Sequence, residues 1–133
     1  MGQPCSMVAE GIERVVPMHY RKAVIWQKAM ALAEVACRCS MHLPGEERFG
    51  VRLQIARAAI SIPSNIAEGW SRESRKEKSQ FLAIAQGSLS ELHTQLLLCE
   101  RLGWIECGPL QTTYGLADET SRMLTTLRRR FRS

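Results

Sequence analysis

The sequence predicts an all-α protein: an antiparallel up-down-up-down four-helix bundle whose second helix is kinked at Pro63. Three observations lead there. Four stretches repeat apolar residues at the helical spacing of three and four. No stretch alternates apolar and polar residues as a half-buried strand does. The breaks between stretches are short and hold proline or glycine, so consecutive helices must double back on one another. The 133 residues amount to one domain. With 45% hydrophobic and 23% charged residues, the composition is that of a globular chain rather than a disordered one.

Residues 1–19, with Gly2, Pro4, Gly11 and Pro17, read as an arm; residues 20–127 form the bundle, and residues 128–133 a basic tail. The first helix spans Arg21 to Met41, with Trp26, Met30, Ala33 and Cys37 on one face and Ala29, Leu32 and Ala36 beside it. His42-Leu43-Pro44-Gly45 ends it, because proline lacks an amide donor and glycine accepts turn geometry. The second helix starts near Glu46 and ends near Gly69, a residue suited to a left-handed turn. Ser74-Arg75-Lys76-Glu77 forms a capping box that opens the third, which carries Phe81, Ala85, Ser88, Leu92, Leu96 and Cys99 and stops at Gly103. Within it, Gly87 and Ser88 are small enough to let helices approach closely. Pro109 suits the first helical position of the fourth, which continues through Leu110, Tyr114, Ala117, Ser121, Leu124 and Leu127.

Several chemistries are missing. His19, His42 and His93 form no metal-spaced pair, and neither Glu91 nor Glu100 begins the Glu-x-x-His of a di-iron bundle. Cys37 and Cys39 would point about 200° apart on a helix, so they cannot close on one metal. Ser61 and Ser64 have no histidine to activate them. No glycine loop cradles a phosphate. The chain therefore reads as non-enzymatic, with no cofactor and no metal. Five cysteines without framework spacing point to a reduced, cytoplasmic protein. The best apolar run, Leu96-Leu97-Leu98-Cys99, is hemmed in by Gln95 and Glu100 and is too short to enter a membrane.

The second helix is the informative one. Phe49, Leu53, Ala56, Ala59, Ile60, Pro63, Ile66, Ala67 and Trp70, with Ile55 and Ile62, cover about half its circumference, whereas one core needs about a third. The excess implies a second buried contact, most simply with another copy of the chain. The opposite arc holds Gln54, Arg57, Ser61, Ser64, Asn65 and Glu68, followed by Arg72. Arg57 and Glu68 lie about 16 Å apart along the axis, too far to pair directly. Two readings fit this arc: a polar network bridging helices around a proline bend, or a ligand or nucleic-acid site.

Gln54-Ile55-Ala56-Arg57-Ala58-Ala59-Ile60-Ser61-Ile62-Pro63-Ser64-Asn65-Ile66-Ala67-Glu68-Gly69 resembles the signature of the 23S rRNA-intervening-sequence protein family of four-helix bundle proteins. Val24-Ile25-Trp26-Gln27-Lys28-Ala29 is similar to the family's first helix, and Phe81 to Leu92 to its third. The likeness spans about Tyr20 to Leu127. It implies a homopentameric bundle without known catalytic activity. Related proteins act as accessory variability determinants of diversity-generating retroelements, where a basic pentamer binds a reverse transcriptase and nucleic acid.

The net charge is +5, and Arg128, Arg129, Arg130 and Arg132 supply four of those charges. As phosphate ligands these arginines, with Arg72, make the chain a sequence-tolerant binder of RNA or DNA. As cations at a helix C-terminus they need only stabilise the helix dipole. The alternative function is an oligomeric scaffold for a protein partner, and a weaker third is a small-molecule site on the Arg57/Glu68 arc.

Overall fold

A computed structural model describes residues 19–132, so the proposed arm at residues 1–19 lies outside the described residues except for His19. A short 3-10 turn, His19–Lys22, leads into four α-helices: α1 (Val24–Ser40), α2 (Glu47–Trp70), α3 (Arg75–Arg101) and α4 (Cys107–Arg132). No strand occurs among the described residues.

Cross-helix contacts fix the directions. Lys28 Nζ meets Glu119 at 2.7 Å while Cys39 Sγ faces Thr113 Oγ1 at 3.6 Å, so α1 and α4 run oppositely. Ser61 Oγ lies 2.7 Å from Ser88 Oγ, and Lys78 Nζ donates to the Trp70 carbonyl at 3.1 Å, which opposes α2 and α3. Tyr114 reaches Glu100 at 2.7 Å and Gln86 reaches Thr125 at 2.9 Å, opposing α3 and α4. The start of α1, the end of α2, the start of α3 and the end of α4 therefore gather at one end.

Each helix gives one row to a shared core. Ile25, Leu32, Ile55, Ile62, Ile66, Leu82, Leu92, Leu96, Leu110 and Leu124 are almost wholly buried, each worth about 2 kcal/mol of transfer free energy. The rows differ in rotation from the sequence expectation. In α1 the buried residues are Ile25, Ala29, Leu32, Ala33, Ala36, Cys39 and Ser40, so of the expected row only Ala33 is buried, together with Ala29, Leu32 and Ala36 beside it. Trp26 and Cys37 are half-buried and Met30 is 44% exposed, because they lie in the groove between α1 and the outer side of α2. On α2, Ile55, Ala59, Ile62 and Ile66 fill the core, while Phe49, Leu53 and Ile60 are more than half exposed. Those three form the excess apolar surface that the sequence implied.

The helix ends follow local chemistry. Ser74 Oγ accepts the Glu77 amide at 3.0 Å, the forward half of the capping box. Gly103 has φ 73°, with its amide on the Glu100 carbonyl and that of Trp104 on Cys99, a closing pair that needs a left-handed residue. Gly69 behaves differently from expectation: it lies inside α2, and only Gly45 and Gly103 have positive φ among the described residues. A Cβ at Gly69 would sit 3.0 Å from Phe81 Cβ, so its smallness serves the close approach of α2 and α3. Gly87 faces open space and plays no such part. Pro109 is the third residue of α4 rather than the first, a position whose amide still has no helical partner. Pro63 is buried within the continuous α2.

Candidate functional site

The presumed tail is not a separate segment. Helix α4 runs through Arg132, and Phe131 packs partly buried against the core. Arg75 donates to the Arg130 carbonyl, and its guanidinium lies 5.9 Å from the Phe131 ring centre. These contacts tie the last turn of α4 to the first turn of α3.

Antiparallel packing adds the other cations to this end. Arg21 and Lys22 come from the 3-10 turn, Arg72 from the α2–α3 connection, and Arg75, Lys76 and Lys78 from α3. With Arg128, Arg129, Arg130 and Arg132 they make ten arginines and lysines, against Glu68, Glu73 and Glu77. This end thus carries a net +7, while the other described residues hold seven arginines and lysines against eight carboxylates. The sequence signal for it was incomplete, since only four of the ten are adjacent in the tail.

The ten are not equivalent. Arg128 Nη1 donates to Gln86 Oε1 at 2.8 Å, while Gln86 Nε2 reaches Thr125 Oγ1 at 2.9 Å. The Arg128 Nε is buried with no hydrogen-bond partner. Arg128 therefore braces α3 against α4. Arg72 pairs with Glu68 at 2.6 Å and lies 4.9 Å from the Phe81 ring centre. Both members of that pair are exposed, so it holds weakly in water. Arg129, Arg130 and Arg132 are exposed on the last turn.

The polar arc of α2 does not converge on one site. Ser61 bonds Ser88 across the α2–α3 contact, and Asn65 Nδ2 donates to the Ser61 hydroxyl at 2.9 Å and its carbonyl at 2.8 Å. These half-buried groups form a small bridge next to Pro63. Gln54 and Ser64 are exposed and line two different grooves, one toward α3 and one toward α1. Arg57 is exposed, and Glu68 belongs to Arg72 instead.

Other groups are arranged for structure. Burial, then the hydrogen bond and charge of Glu100, push the Tyr114 phenol above its ordinary value, so it remains a neutral donor. Burial raises the thiols of Cys37 and Cys99, which makes both poor nucleophiles. Cys37, Cys39, Cys99 and Cys107 are free. Among the described residues, no three His, Cys, Asp or Glu side chains are grouped to hold a metal. No helix among them is long and apolar enough to cross a membrane.

No curated protein matches the sequence. A sequence model of the 23S rRNA-intervening sequence protein family does, over residues 21–126, which takes in most of the bundle and stops before the arginines of the last turn. With that match over four-fifths of its length and a four-helix all-α fold beneath it, the chain belongs to the 23S rRNA-intervening sequence protein family.

Proposed function

We propose that this protein is a non-enzymatic, cytoplasmic homo-oligomer, a pentamer, that binds RNA or DNA without sequence preference through the basic end of its bundle. The observation that carries this reading is the segregation of charge: +7 at one end of the bundle, against −1 over the other described residues. Such a field attracts a polyanion and releases its counterions on contact. Arginine contacts to phosphate carry no base information, hence the lack of sequence preference. Support for assembly comes from Phe49, Leu53 and Ile60, a row of large apolar side chains left exposed on α2. If a ring sets like ends on one side, it multiplies the basic charge by the number of copies.

Fluorescence anisotropy of labelled RNA and duplex DNA with the full-length protein tests this, with the mass in solution measured alongside. Expected are a particle several times the 15.0 kDa of one chain and binding whose affinity falls steeply with salt. A scaffold for a protein partner would also assemble, but would leave both nucleic acids unbound even at low salt.

A further inference from the structure

We propose that the basic end takes single-stranded nucleic acid in particular, holding one unpaired base in an apolar groove between the start of α1 and the end of α4. The inference rests on the phosphate-binding reading above. The groove has a volume of about 420 Å³, with Val24, Trp70, Met123 and Leu127 lining it together with Arg122 and Arg130. That size falls within the range of small-ligand sites.

The composition of the groove selects its occupant. Its walls are mainly hydrocarbon with one indole-bearing residue, yet it opens within the most cationic part of the molecule. A complementary ligand offers an apolar face to these walls and anionic groups to the arginines beside it. A nucleotide within a single strand has that form: the base enters while flanking phosphates stay with the arginines. A duplex keeps its base faces stacked inward, so only its phosphates reach this end. Val24 is 54% exposed, leaving apolar wall to be covered by the incoming base. Arg122 meets Asp118 at 3.0 Å across exposed surface, a pair weak enough to be exchanged for a phosphate.

The test compares a short labelled oligouridine with an RNA duplex of equal length at one salt concentration. Wild type, Thr126→Leu and Trp70→Leu are measured as full-length proteins. Thr126 lines the groove and is exposed, so its replacement narrows the mouth without entering the core. Each variant should lose about tenfold in oligouridine affinity while duplex affinity stays within about twofold. Equal losses on both ligands, or oligouridine binding unmoved by Thr126→Leu, would overturn the base site and leave the end as a phosphate surface. No binding of either ligand by wild type at low salt would overturn the phosphate reading itself.

Discussion

Replacing Arg129 and Arg132 together by alanine lowers the affinity for RNA and for duplex DNA by about tenfold or more at physiological salt. The slope of log affinity against log salt falls by about one for each phosphate contact removed. Both residues are exposed on the last turn of α4, so the loss of stability should stay near what each cation at a helix C-terminus supplies, about 0.3–1 kcal/mol, and the protein stays folded. That separation of binding from folding is why these two are chosen. Cutting the chain after Leu127 would also delete Phe131, which packs against the core, the Arg130 carbonyl that Arg75 caps, and the Arg128–Gln86 brace. A truncated protein that failed to bind could simply have frayed. An Arg129→Ala/Arg132→Ala protein with unchanged affinity at all salt concentrations would remove the last turn from the interface.

The largest stability effect outside the core is expected at Gly69. A valine there places its Cβ 3.0 Å from Phe81 Cβ and 3.4 Å from the Lys78 carbonyl oxygen. Neither neighbour can swing aside, since one is the Cβ of Phe81, fixed to the backbone of α3, and the other belongs to that backbone. The helices must part, and overpacking of this kind costs about 1–3 kcal/mol, a large share of the roughly 5–15 kcal/mol that holds a small domain folded. Gly69→Ala meets the same atoms with less bulk. It also gains about 1 kcal/mol of helix propensity, which offsets part of the crowding. Chemical denaturation should therefore rank wild type first, Gly69→Ala below it and Gly69→Val lowest. A valine variant as stable as wild type would show that α2 and α3 do not approach closely at this point.

Gly69 also illustrates where sequence reasoning stops. A glycine near the end of an apolar pattern fits a left-handed cap and a close helix crossing equally well, and only the backbone distinguishes them. The rotation of α1 is a similar case. Trp26, Met30 and Cys37 form an apolar row as regular as Ile25, Ala29, Leu32 and Ala36. Periodicity cannot say which row meets the core and which lies against the outer side of α2. By contrast, Ser74, Gly103 and the four helical patterns were legible because each is governed by local chemistry: a cap, a positive φ, a repeat of 3.6.

The candidate site was only partly legible for a different reason. Arg21 and Lys22, Arg72 through Lys78, and Arg128 to Arg132 are far apart along the chain and become one surface only when four helices alternate in direction. Read linearly, the charge seemed to belong to a tail. The roles within it were hidden as well. Nothing in the sequence tells that Arg128 is held by Gln86, since that contact comes from which side of α4 faces α3. The polar arc of α2 misled in the opposite sense, because residues that share a helical face went to two grooves, one bridge and one surface ion pair.

Hydrogen–deuterium exchange of the full-length protein with and without a short single-stranded RNA tests most directly whether the basic end is the binding surface. The expected result is slowed exchange at residues 19–22, 70–78 and 126–132, with little change at the opposite end, residues 46–54 and 98–107. Protection centred on residues 54–65, or none at an RNA concentration that saturates binding, would contradict it.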